Sequence, residues 1–162
     1  MINMHEVFIW TGLRYLQTRD ICNDDIRRYM QDIWSSLSDG TRNCIIRDVE
    51  DMSKFSYASP DGAWNKWEFL IHLEILDDSV RFSTGVSLNE DFVLYAVKYA
   101  VGRMTYVVSW IVEELERIWH KLSQETKTSI FNYIKEAAER SETSLGMDCD
   151  KKQWMKVLSW ET

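Results

Sequence analysis

Proline is almost missing from this chain, with one Pro and six Gly in 162 residues. A β-sandwich or barrel spends both residues on its many tight turns, so this shortage argues against an all-β fold. Cysteine is scarce as well. Cys22, Cys44 and Cys149 form an odd, scattered set with no metal-ligand spacing, which excludes a disulfide framework and leaves the reduced cytoplasm as the expected compartment. No apolar run approaches the roughly 20 residues of a membrane span. The opening stretch from Met1 to Trp10 carries His5 and Glu6, so it reads as a helix start and not as an export signal. The phosphate-binding glycine loops, the GxSxG elbow and the HExxH pattern are lacking too, so no cofactor, metal or catalytic residue is called for.

What is present is apolar and aromatic material in quantity. Hydrophobic residues make up 45% of the chain and charged residues 28%, the balance of a globular protein. Eight Trp and seven Tyr let small helical units bury large areas. The net charge is −7, with 14 acids and 9 bases in residues 1–84 and 12 acids and 10 bases in residues 85–162. Nucleic-acid binding needs concentrated Lys and Arg, so direct contact with nucleic acid is not expected. Some of the charge has the spacing of ion-paired helix faces, as in Glu113 and Arg117 or Glu136 and Arg140.

The apolar residues recur at helical steps. Val108, Ile111, Val112, Leu115, Ile118, Trp119 and Leu122 draw one stripe along a helix of about five turns. Ile26, Met30, Ile33, Trp34 and Leu37 draw its counterpart. Each stripe ends at a serine, Ser38 or Ser123, placed to cap the next helix. Those following helices carry Ile45, Ile46, Val49 and Met52, and then Ile130, Phe131, Ile134 and Ala138. Shorter helices are expected before them, over about 5–16 and 90–101, and short segments anchored by Trp67 and Trp154 after them. Val80, Phe82, Val86 and Leu88 alternate with polar residues and suggest a short extended piece.

These stripes are one design written twice. Phe8 and Tyr15 meet Phe92 and Tyr99 at a displacement of 84, while Ile33-Trp34 and Leu37-Ser38 meet Ile118-Trp119 and Leu122-Ser123 at 85. The displacement grows only between elements, as insertions in loops would make it do. The expected fold is therefore all-α, two diverged tandem four-helix units packed as one compact helical bundle. Residues 1–76 would form the first unit, 77–89 the linker and 90–162 the second. Each unit alone is small enough to be marginal, so a shared core is expected.

Two resemblances bear on function. Tyr99-Ala100-Val101-Gly102-Arg103-Met104-Thr105-Tyr106 resembles a YALGRxTY signature of small uncharacterised proteins of bacteriophages and related mobile elements. The later Asp148-Cys149-Asp150 and Trp154 resemble the acidic stretch and Trp that close them. This likeness implies a bacterial cytoplasm as the setting and no mechanism. Glu113 and Glu116, then Glu136 and Glu139, are similar to the paired ExxE layout of all-α nucleotide pyrophosphohydrolases of the MazG and dimeric dUTPase type, which would hold Mg²⁺. Their phases oppose that reading, because Glu113, Glu136 and Glu139 point away from the apolar stripes.

Gly102 supplies a turn between helices, and Arg103 beside it, with Arg19 in the first half and the neighbouring Tyr106, are structural or ligand candidates. Trp34, Trp67, Trp119 and Trp154 recur between the halves and are expected in the core. Trp10, Trp64, Trp110 and Trp160 have no repeated counterpart and are the candidates for a partner surface, where Trp is enriched. The acids Asp48, Glu50, Asp51, Asp77 and Asp78 join them. The expected function is that of a phage-type accessory protein that binds a bacterial protein or nucleoprotein complex, in the manner of an anti-CRISPR inhibitor of host defence. The alternatives are a Mg²⁺-dependent pyrophosphohydrolase or a structural protein; a homodimer stays open, and no membrane partner is expected.

Overall fold

The computed structural model describes residues 4–18, 24–54, 86–102, 105–140, 145–146 and 148–160. Among them are seven α-helices and no strand: α1 (Met4–Thr18), α2 (Asp24–Trp34), α3 (Asp39–Lys54), α4 (Val86–Ala100), α5 (Thr105–Ile118), α6 (Gln124–Arg140) and α7 (Asp148–Leu158). The all-α reading holds. No helix of the described residues is long and apolar enough to cross a membrane.

Two differences from the sequence reading are local. The long apolar stripe is not one helix, because α5 ends at Ile118 and Trp119–Lys121 tighten into a 3-10 turn. That turn closes with Leu122 N–H donating to Trp119 O, and it delivers Leu122 to the core just before the next cap. The extended piece fails at Val86 and Leu88, which belong to α4. With no Pro or Gly between Val86 and Ala100, nothing stops that helix from starting early. Val80 and Phe82, like Trp67, lie outside the described residues.

The two helical caps are built alike. Ser38 Oγ accepts the Thr41 N–H at 3.3 Å and touches Thr41 Oγ1 at 3.1 Å. Ser123 Oγ accepts the Thr126 N–H at 3.3 Å and touches Thr126 Oγ1 at 3.1 Å. Each serine also donates its own N–H to a glutamate of a distant helix, Ser38 to Glu6 of α1 and Ser123 to Glu90 of α4. Glu6 and Glu90 are 84 residues apart and the two serines 85, and each glutamate sets a carboxylate at the positive end of a helix.

α1 and α4 lie against each other. Gly12 makes the close approach: a Cβ there would sit 2.7 Å from Phe92 Cδ1 and 3.2 Å from the Phe92 carbonyl oxygen. Among the described residues, apolar packing divides into two cores. One gathers α5, α6, α7 and α4 around Ile111, Leu115, Ile130, Ile134 and Trp154, and the other gathers α1, α2 and α3 around Leu13, Met30, Ile45 and Val49. Phe8 of α1 belongs to the first core, while Phe92 of α4 belongs to the second. The exchange of equivalent phenylalanines ties the cores together, because neither is complete without a ring from the other side. Gly102, with φ of +81°, makes the expected turn after α4.

Candidate functional site

The residues proposed from sequence separate into core, surface and undescribed groups. Trp10 is a correction. It is only 8% exposed and sits in the α1–α3 core. Its indole N–H donates to Asp48 Oδ2 at 2.9 Å. The same carboxylate accepts Arg14 Nε at 2.7 Å and, through Oδ1, Arg14 Nη2 at 3.0 Å. The Arg14 guanidinium stacks over the Trp10 ring at 4.1 Å and reaches the Tyr99 hydroxyl of α4 at 3.4 Å. Asp48 is thus not a free acid on a binding surface either; it joins α3 to α1 through a two-pronged ion pair. Burial alone would disfavour the charged guanidinium, but the Asp48 hydrogen bonds and charge outweigh it, and the Arg14 pKa is raised.

Sequence reasoning overlooked Arg14. A signal was present, because Arg14-Tyr15 returns as Lys98-Tyr99. The contacts cross over accordingly: Arg14 lies 6.0 Å from the Tyr99 ring and Lys98 lies 5.9 Å from the Tyr15 ring. Where Arg14 has Asp48, Lys98 has the Tyr133 ring at 5.6 Å. These cation–π contacts fasten the seam between α1 and α4.

Trp110 is the surface tryptophan. It is 43% exposed on α5, although Val107, Val108, Ile111 and Val112 around it are buried. Glu113 and Glu114 stand three and four residues on, within one helical turn. Both carboxylates approach Arg117, at 3.5 and 3.7 Å, and the second Glu114 oxygen is buried with no hydrogen-bond partner. The exposed ring therefore has acids along its own flank. Trp160 is half-buried and packs on Trp119 at 5.2 Å, a position that covers the core more than it offers a contact. Glu50 is half-buried and Asp51 exposed on α3. Arg19, Trp64, Asp77, Asp78 and Arg103 lie outside the described residues, as does the side chain of Tyr106.

The carboxylates of the pyrophosphohydrolase reading do not come together. Glu113, Glu116, Glu136 and Glu139 are all exposed, Glu116 holds Lys156 at 3.0 Å, and among the described residues no group of three or more His, Cys, Asp or Glu is placed to hold a metal ion. Comparison with known proteins returns no family model, no curated protein and no solved structure that matches the chain.

Proposed function

We propose that this protein acts by binding another protein, with Trp110 and the acids beside it as the contact. The observation that carries this reading is a large aromatic ring 43% exposed on a helix whose opposite face is core. Burying such a ring at an interface recovers more free energy than any other single side chain is expected to supply. The net charge of −7 suits a basic partner and speeds encounter with it. In the bacterial setting that the Tyr99 to Tyr106 string implies, the partner is a defence nuclease or surveillance complex, and the acidic protein blocks its nucleic-acid-binding surface.

The same proposal includes an origin for the architecture: two diverged copies of a four-helix unit sharing one bundle. The duplicated Glu–Ser–Thr caps and the exchanged Phe8 and Phe92 support it. Function then belongs to positions where the copies differ, and Trp110 is one, since its counterpart 85 residues earlier is Asp25.

Immobilised protein and its Trp110→Ala variant should be exposed to the same bacterial lysate. The expected result is a nuclease or nucleoprotein complex retained by the wild type, released by salt and reduced at least about tenfold by the variant, the loss that removing a hot-spot Trp produces. Equal retention by the two, or retention of nothing by the wild type, refutes the reading.

A further inference from the structure

On α7 the sign of the surface reverses. We infer that the outer face of this helix docks an acidic protein segment, at a site separate from Trp110. Trp154 and Val157 are fully buried and Asp150 nearly so, which turns the opposite arc outward. That arc presents Lys151, Lys152, Met155, Lys156 and Ser159, all exposed. Met155 is 48% exposed and, with Trp110, is one of two large exposed hydrophobic side chains among the described residues. Lysines stand four and three residues before it and one after, so on the helix they ring it.

Charge identifies the occupant. Three lysines on one face are a local exception in a chain of net charge −7. Lys156 is held by Glu116 of α5 at 3.0 Å, which fixes the edge of the patch. No ion pair engages Lys151 or Lys152 among the described residues. A segment with carboxylates one helical turn apart and an apolar residue between them meets both lysines and covers Met155, whose unbranched thioether adapts to varied partners. A nucleic acid fits less well, because three lysines are too few to follow a phosphate backbone and this face offers no aromatic ring for bases to stack on.

The site does not overlap the one proposed above. Glu116 and Trp110 are six residues apart on α5, which places them about 120° apart around the helix. α7 occupies the Glu116 flank, so Trp110 faces elsewhere. The second surface stands whether or not the Trp110 reading does.

The test is fluorescence anisotropy with the full chain and a labelled helical peptide of roughly 16 residues, carrying glutamates four apart and a leucine stripe. Binding is expected to weaken as salt rises from about 50 to about 300 mM. It should fall at least about tenfold in Lys151→Glu/Lys152→Glu, fall several-fold in Met155→Ser and stay unchanged in Lys121→Glu, an exposed lysine off this face. Helical circular dichroism confirms that the variants fold. Three results overturn the inference: no binding of the acidic peptide, equal weakening by Lys121→Glu, or a single-stranded oligonucleotide or phosphatidylserine vesicle bound in its place through the same lysines. None of them affects capture through Trp110, so the two proposals fail separately.

Discussion

Replacing Glu6 by Gln tests whether the recurring caps are energetically equivalent. Glu6 is 3% exposed, accepts the Ser38 N–H, and lies 3.2 Å from the Ser38 hydroxyl through its second oxygen. Glu90 makes the same bond to Ser123 at 2.6 Å, but Glu90 is only half-buried and Ser123 is exposed, so water reaches the bond. A hydrogen bond to a charged group contributes about 1.5–3 kcal/mol and a neutral one about 0.5–1.5, and a carboxylate at a helix N-terminus adds about 0.3–1. Gln keeps an acceptor and loses the charge, so Glu6→Gln should cost about 1–2 kcal/mol. Glu90→Gln should cost under about 1 kcal/mol, since water replaces what is lost. Urea unfolding at neutral pH reads both, and for a chain of this size the first corresponds to a melting-point drop of about 2–8 °C. If Glu6→Gln proves neutral or more stable, the desolvation of the buried carboxylate exceeds what its bonds return, and the cap reasoning is refuted for α3. Equal losses at the two sites would refute the role given to burial.

Three further outcomes follow from the seam and the surface. Gly12→Ala gains about 1 kcal/mol of helix propensity but drives a methyl into Phe92, an overpacking cost of about 1–3 kcal/mol; a net loss in urea unfolding is expected, and a net gain would mean that α1 and α4 do not approach this closely. Asp48→Ala leaves the Arg14 guanidinium and the Trp10 indole N–H without their shared acceptor, and should cost about 1–3 kcal/mol after allowance for Arg14's partial exposure. The double variant Arg14→Met/Asp48→Ala should recover part of that loss, and strict additivity would show that the pair is not coupled. Asp91 has a raised pKa, through burial first and then the charges of Glu90 and Glu125. A raised carboxyl disfavours the folded state where it is ionised, above its folded pKa, and that penalty disappears as pH falls through this value towards the ordinary 3.8. Asp91 is exposed, so solvent screens most of this repulsion, and Asp91→Asn should stabilise the protein at pH 7 by under about 0.5 kcal/mol and have no effect near pH 3, as paired unfolding curves would show; a gain that persists at low pH would exclude the electrostatic cause.

Helix positions were legible because they depend on short-range periodicity. The stripe of Val108, Ile111, Val112 and Leu115 faces the core as read, and Ser38, Ser123 and Gly102 stop or turn the chain where their chemistry says they should. The lack of a repeated counterpart singles out Trp110, which is exposed, and Trp10, which is buried, so that criterion does not separate surface from core. The α7 face could have been read from Lys151, Lys152, Met155 and Lys156 opposing Trp154 and Val157, a polar arc as regular as the apolar one. The apolar series of α6 includes Ala138, yet Ala137 is the buried residue and Ala138 only packs against the edge of the core, because a one-residue step of about 100° moves a side chain across the rim of a stripe.

By itself, then, the sequence determined the helical class and the helix caps, both of which rest on residues within a few positions of one another. Only the tertiary structure decided that Glu6 caps a helix 32 residues away, that Phe8 and Phe92 exchange cores, that Asp48 binds Arg14 and Trp10, and that Trp110 is left outside. An aromatic residue at the edge of an apolar stripe is covered or exposed according to which distant helix arrives beside it. That neighbour is set by how the helices pack, which no local spacing records.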